Sequence, residues 1–345
     1  MRDLGAVTYD PEFRPGARNA VFTCLGVRPG ERAVLITDVS SLPIGAALHE
    51  QFREAGAELS AYVIEDLAAR PLKGLPDAIA QSMEQASVSC FAAMAQEGEL
   101  PARIAMTSIV NRLGIRHAHM VNITSRIMRE GMRADFKRID ALSDWVLERV
   151  TSARELEAST PAGTRITATF SPSIRWVKTS GIIRPEKWGN LPGGEVFTCP
   201  ARLDGVFVVD AVLGDWLANR YGNMEHYPLT LEIEDSRLVG ARCARPEIVK
   251  DFLDYTSKDG NSNRVGELAL GTNVALRDVI GQILQDEKIP GVHMAFGHPY
   301  REHTGADWSS TSHIDVVGRN FDVSIDGVAI MKNSRFLVDF ESLPA

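Results

Sequence analysis

Short apolar runs alternate with amphipathic stretches along the first 160 positions. Residues 33–36, Ala-Val-Leu-Ile, form a continuous apolar run, the pattern of a strand buried on both faces of a parallel sheet. A helical pattern follows from Pro43 and closes at Gly56, and residues 58–66 then read as a second strand. Strand, helix and strand within about thirty residues make a βαβ unit. A lead-in helix is expected over 11–30, ended by Arg28-Pro29-Gly30, and another from Pro76 to Ala86 ahead of a buried strand at 87–94. A further strand is expected over 113–121. A long amphipathic helix is predicted over 133–158, with Phe136, Ile139, Leu142, Trp145, Val146 and Val150 on its apolar face.

The period changes at Pro161-Ala162-Gly163, which places a domain boundary there. Beyond it, segments at 164–171, 174–183, 194–214 and 226–243 read as short alternating strands punctuated by turns such as Asp204-Gly205 and Asp235-Ser236. Helices are expected over 247–258 and 275–288. Strands follow at 313–317 and on either side of Asp326-Gly327. The prediction is an α/β N-terminal domain over 1–160, a parallel sheet with flanking helices. An α+β C-terminal domain rich in antiparallel sheet would cover 161–345.

Composition narrows the function. The chain has 345 residues, more than one core usually holds, so two domains are expected. A hydrophobic fraction of 44% and a charged fraction of 24% are ordinary for a globular protein. The net charge of −8 argues against nucleic acid or an anionic membrane surface as a partner. No apolar run approaches the ~18 residues of a membrane span, and residues 1–13 carry no signal-peptide core. Cys24, Cys90, Cys199 and Cys243 lie far apart, with neither CxxC spacing nor a disulfide framework. A cytoplasmic enzyme is expected. The first strand–helix turn holds no GxGxxG or GxxxxGK fingerprint. Asp38, Ser40 and Ser41 there suit helix capping, with anion binding as the alternative.

Candidate chemistry concentrates in residues 292–317, VHMAFGHPYREHTGADWSSTSHIDVV, which hold four of the eight histidines. In a strand, His313 and Asp315 share one face, backed by Ile314, Val316 and Val317. That pair offers half of a metal site, although a buried His hydrogen-bonded to its Asp has the same pattern. Glu195 enters a strand after Leu191-Pro192-Gly193-Gly194, and Glu267 follows Gly266 within an apolar run. Added to His293, they give nitrogen and oxygen donors without thiolate, which suits zinc, manganese or cobalt. His117 and His119, two apart in a strand, are a weaker pair with no carboxylate nearby in sequence. Cys199 reads as a small buried residue.

The stretches Gly163-Thr164, Arg175-Trp176, 190–200 (NLPGGEVFTCP), 265–273 (VGELALGTN), 293–300 (HMAFGHPY) and 309–317 (SSTSHIDVV), with Asp326-Gly327, resemble the M29 family of metallo-aminopeptidases, the aminopeptidase T-like enzymes. The resemblance covers the C-terminal half in order. It implies a dinuclear site of Glu195, Glu267, His293, Tyr300, His313 and Asp315, binding two divalent ions (Zn, Co or Mn) with a bridging hydroxide. Glu195, His313 and Asp315 would serve one ion and Glu267 and His293 the other, with Asp315 bridging. Glu267 would act as proton shuttle and Tyr300 as a further ligand or oxyanion donor. The implied protein is a cytoplasmic homodimer that removes N-terminal residues from small peptides or hydrolyses a special amide, its N-terminal domain walling the cavity. The chain is expected to be shorter than a typical member, and His298 and His303 are extra imidazoles in the loop. The same superfamily includes ring-cleaving dioxygenases acting on dihydroxypyridines, which use one Fe(II) held by two His and one Asp. Here those would be His293, His313 and Asp315. The presence of both glutamates favours the hydrolase.

Overall fold

The computed structural model describes residues 2–185 and 189–343. The apolar run at 33–36 lies in the strand Arg32–Thr37, buried over its last five residues. Glu58–Val63 and Val88–Ala92 flank it, both parallel to it. Arg116–His119 and the short Gly189–Asn190 complete a five-stranded parallel sheet. The crossovers are the helices Leu42–Glu54, Asp77–Met83 and Leu100–Leu113. Gly114 ends the last of these, left-handed at φ 65°, with its N–H donated to the Val110 carbonyl. The lead-in segment is helical in successive turns, Pro11–Phe13, Arg14–Arg18 and Asn19–Cys24.

Two compact units divide the chain. The first is Met1–Lys137 with Gly181–Gly193, and the second is Arg138–Ser180 with Gly194–Ala345. The division therefore falls at Lys137/Arg138 rather than at 161–163. Pro161-Ala162-Gly163 forms a hairpin turn, closed by the Thr160 N–H on the Thr164 carbonyl at 3.0 Å, between the paired strands Glu155–Ser159 and Arg165–Thr169. Pro, Ala and Gly serve linkers and tight turns alike, so composition alone misplaces the boundary. The long helix is also shorter than expected, Phe136–Thr151, because Glu155–Ser159 leaves it to join a sheet.

The second unit contains two antiparallel sheets. One has eight strands, in the order Arg237–Arg242, Leu229–Glu234, Arg202–Val209, Arg165–Thr169, Glu155–Ser159, Asp322–Ile325, Val328–Lys332 and Arg335–Phe336. The other has six, in the order Val212–Leu213, His313–Val317, Gly291–Gly297, Val265–Gly271, Glu195–Thr198 and Val177–Thr179. One apolar core takes side chains from both sheets (Phe207 and Leu231 from the first, Leu268, Met294 and Val316 from the second) together with Leu142, Val146 and Val150 of the long helix. Burying these residues drives the unit together at about 1.5–3 kcal/mol for each large side chain.

The predicted helix over 275–288 is mostly absent, and only Ile283–Asp286 is helical. The Asp286 carboxylate accepts the backbone N–H groups of Ile280, Gly281 and Gln282, the Gly281 bond at 2.7 Å. A short acidic side chain bonding nearby backbone is a competitor of helix, and here it prevails. No helix among the described residues is long and apolar enough to cross a membrane.

Candidate metal centre

The register of the six-stranded sheet decides which residues can meet. Directly opposed residues share a face, so the pairs Gly271↔Glu195, Ala269↔Phe197, Ala269↔His293, Glu267↔Ala295, Ala295↔Asp315 and Gly297↔His313 lie on one side. The other side carries Val196, Leu268, Leu270, Val292, Met294, Phe296, Ile314 and Val316, all in the core. One face of the sheet is thus apolar and the other gathers two imidazoles and three carboxylates. Small residues between them (Ala269, Gly271, Ala295, Gly297) leave room for their side chains to converge.

Three overlapping groups result, each with ligand atoms within 4.8 Å of one another: Glu195, Glu267 and His293; Glu267, His313 and Asp315; and Glu287, His293 and Asp315. His293 Nε2 lies 3.5 Å from Glu195 Oε2 and 3.5 Å from Glu267 Oε1. His313 Nε2 lies 3.3 Å from Asp315 Oδ1 and 3.8 Å from Glu267 Oε2. Glu267 therefore turns one oxygen to each histidine. This differs from the expected split, since Glu195 groups with Glu267 and His293, not with His313 and Asp315. The register explains it: Glu195 sits opposite Gly271, and two strands lie between the Glu195 strand and the His313 strand.

Glu287 was not singled out from the sequence, nor was Lys288. In Asp286-Glu287-Lys288 the three consecutive charges look like a solvated helix end, yet all three are buried. The segment after Asp286 runs over the site face, where a Cβ on Gly271 would stand 2.0 Å from the Ile289 carbonyl oxygen. Only glycine permits that approach. Lys288 Nζ lies 2.7 Å from Glu195 Oε2 and 2.6 Å from Glu287 Oε1. Thr179, opposite Glu195 on the next strand, donates its hydroxyl to Glu195 Oε1 at 2.8 Å.

Electrostatics follow from burial and this crowding. Burial pushes the Glu195 carboxyl up, but Lys288 and His293 outweigh it and hold it below its ordinary value. Glu287 is pushed up to about 8, chiefly by burial. Burial pulls both imidazoles down, yet carboxylates prevail: Glu267 and Glu195 raise His293, and Asp315 with Glu267 raises His313 to about 10. Asp315 is held low because His313 outweighs its burial.

Tyr300 occupies a left-handed conformation at φ 46°, a costly one for an aromatic residue. Its ring lies 4.9 Å from His313 and 5.8 Å from Phe197 between centroids. Burial and then the surrounding carboxylates raise its phenol well above 10, so it stays protonated. His298 accepts the Tyr300 N–H at Nδ1, 3.1 Å away, and its carbonyl faces His313 Nδ1 at 3.0 Å. A proton on that Nδ1 leaves His313 Nε2 free toward the carboxylates. His298 thus supports the site, and neither it nor His303 joins a ligand group.

A divalent cation fits this arrangement. His293 Nε2 is buried with no hydrogen-bond partner among the described residues, and it faces two carboxylate oxygens at distances too long for hydrogen bonds. Ligands about 2.0–2.2 Å from a shared ion would satisfy all three. The Cys199 thiol, pushed up to about 12 by burial, is no competitor. The weaker pair of the first unit fails the same test. His117 bonds Ser89 Oγ at 2.8 Å and His119 at 3.2 Å, and neither imidazole joins a ligand group among the described residues. Asp38 accepts the Ser41 N–H and pairs with Arg70, and the expected cap is not made, since Ser41 at the N-cap of the helix Leu42–Glu54 has no side-chain cap hydrogen bond.

The fold and this face define a two-unit protein with a carboxylate–histidine cluster on an antiparallel sheet. The family described as thermophilic metalloprotease (M29) matches residues 115–328, more than half of the chain, and the chain belongs to it. Two solved structures share the fold. One is 2,5-dihydroxypyridine dioxygenase from Pseudomonas putida KT2440, 18% identical, with a TM-score of 0.68, covering 95% of this chain and 98% of that one. The other is wild-type AmpT from Thermus thermophilus, 18% identical, with a TM-score of 0.66, covering 95% and 99%. No curated protein matches the chain in sequence.

Proposed function

We propose that this protein is a metal-dependent amide hydrolase that acts as an aminopeptidase on small peptides. The observation that carries the reading is the composition of the ligand groups. Each of the three contains a glutamate, and none joins His293 to His313. A lone iron held by two histidines and one aspartate would ask for the opposite.

Glu195, Glu267, Glu287, His293, His313 and Asp315 would hold the ions, with zinc, cobalt or manganese suited to the donors. Ions bound there supply Lewis acidity, which polarises a carbonyl and lowers the pKa of water toward 7. Lys288 keeps Glu195 and Glu287 oriented. Glu267, shared between two groups, is placed to take a proton from water and pass it to the leaving amine. The Tyr300 hydroxyl, protonated and facing the cluster, donates to the oxyanion developing on the substrate. Opposed carboxylates also suit the ammonium of a peptide N-terminus, which would restrict cleavage to the chain end.

The test is metal content together with hydrolysis of leucine p-nitroanilide, before and after chelation and with zinc, cobalt or manganese restored. Turnover that disappears with the chelator and returns with the metal is the expected result. About one iron per chain, with oxygen uptake on 2,5-dihydroxypyridine and no amide cleavage, would replace this reading with the dioxygenase.

A further inference from the structure

The ligand face of the six-stranded sheet continues beyond Glu267. Val265 opposes Phe296 on the core side, and the ladder is irregular between Val265 and Glu267. Gly266 occupies that irregularity, so Arg264 returns to the ligand side, with its carbonyl accepting the Gly297 N–H at 2.8 Å. Its guanidinium carbon lies 4.4 Å from the centroid of the Trp308 ring. Cys199 belongs to the same neighbourhood: one position past Thr198, alternation turns it to the ligand side, and Arg264, Trp308 and Glu267 all act on its thiol. Phe197 and Tyr300, in edge contact, border the same ground.

Arg264 differs from the arginines around it. Arg237 bonds the Gly260 carbonyl and the Asn263 side chain, and Arg175 bonds the His303 carbonyl. The Arg264 guanidinium is half-buried, and among the described residues it has a stacking partner but no carboxylate or carbonyl acceptor. Asp307, next to Trp308, is exposed and makes no ion pair with it. Stacking on an aromatic face leaves the N–H edge of a guanidinium available, and that edge matches a carboxylate in bidentate geometry. Removing a half-buried cation's acceptors is costly, so a site that keeps one open is built for an acceptor that arrives.

We infer that Arg264, braced by Trp308, is the carboxylate receptor of this site, making its preferred substrates di- and tripeptides with a free C-terminus. The inference rests on the peptidase reading for the word peptide, while the carboxylate preference rests on Arg264 alone. The spacing agrees. Arg264 is three positions from Glu267, roughly 10 Å along a strand, a distance spanned by one or two extended residues past the scissile bond and the arginine's own reach. Phe197 and Trp308 offer apolar surface to the intervening side chain.

The experiment compares Leu-Gly and Leu-Gly-Gly with their C-terminal amides, in the metal-loaded protein and in Arg264→Met, which keeps the length of the side chain. The free acids should be preferred by about 10- to 100-fold in kcat/KM, as expected of a charge-assisted bidentate contact. In R264M that ratio should fall toward one, carried by KM for the acids rather than kcat, with metal content equal to wild type. Equal turnover of acid and amide by wild type would overturn the inference, and so would a preference that survives in R264M. Calorimetry with a reduced-bond Leu-Gly analogue and its amide separates the two proposals. Acid-selective binding that R264M abolishes, without hydrolysis of any peptide, would uphold Arg264 and discard the peptidase. Hydrolysis with equal binding of acid and amide would do the reverse.

Discussion

Two pairs of histidines in this protein, all buried except the partly buried His313, respond to their surroundings in opposite ways. His117 and His119 lie side by side on a strand of the parallel sheet, hydrogen-bonded to Ser89 and to each other. Burial alone depresses His117, to about 3, and it is the largest influence on His119, which also lies well below its ordinary value. His293 and His313 are raised in spite of burial, because Glu195, Glu267 and Asp315 surround them. The residue type and the strand setting are the same. What differs is the neighbour, the Ser89 hydroxyl beside His117 in one case and carboxylates in the other. A buried imidazole near a hydroxyl is a neutral core residue. A buried imidazole among carboxylates is a place where positive charge is wanted, whether proton or metal ion.

The largest expected effect comes from removing a carboxylate of the second pair. Asp315→Ala should lose bound metal and lower turnover by more than about 100-fold, the upper range for losing an outer partner of a metal ligand. Circular dichroism should still show a folded protein. Metal and turnover retained in that variant would reduce the second pair to the status of the first.

Next comes the fixed cation. Lys288→Met removes the ammonium between Glu195 and Glu287 and should destabilise the metal-free protein by about 3–5 kcal/mol, the range for breaking a buried ion pair. Thermal unfolding measures it. Added zinc should restore much of the loss, because the cluster then has another cation. A metal-free Tm unchanged by the substitution would mean that Lys288 is not needed to balance this charge.

The smallest effect belongs to the first pair, and its sign runs with acid. In the folded protein His117 stays neutral down to about 3, whereas the unfolded imidazole takes a proton below 6.5. Between those values the unfolded state binds more protons, so stability is complete above pH 6.5 and falls as pH is lowered toward 3. The folding constant should drop by up to about tenfold per pH unit for each such imidazole. Chemical denaturation from pH 7 to pH 5 tests this against His117→Asn, which should flatten the dependence. An unchanged slope in H117N would assign the acid sensitivity to other groups.

Local pattern carried much of this architecture. The run at 33–36 read as a buried parallel strand because a strand covered on both faces has no polar side to show. The alternation at 313–317 placed His313 and Asp315 together for an equally local reason, the two-residue period of a strand. Glu195, Glu267, His293 and Tyr300 also stood out, through the glycines and prolines that precede two of them and through the family resemblance. Each lies on or beside the same sheet face.

Other features needed the whole fold. Pro161-Ala162-Gly163 is a hairpin turn rather than a boundary because strands on either side of it pair, a long-range choice that composition does not record. Residues 275–282 read as helix and are not, because the Asp286 side chain takes the N–H groups that a helix would use. Glu287 and Lys288 look like solvated charges in sequence, and only the passage of their segment over Gly271 brings them into the cluster. Sequence by itself therefore determined the elements and the chemical types of the donors, since both depend on residues a few positions apart. Which donors share an ion site was decided by strand register, which sets residues far apart in the chain opposite one another and lets one glutamate face two histidines.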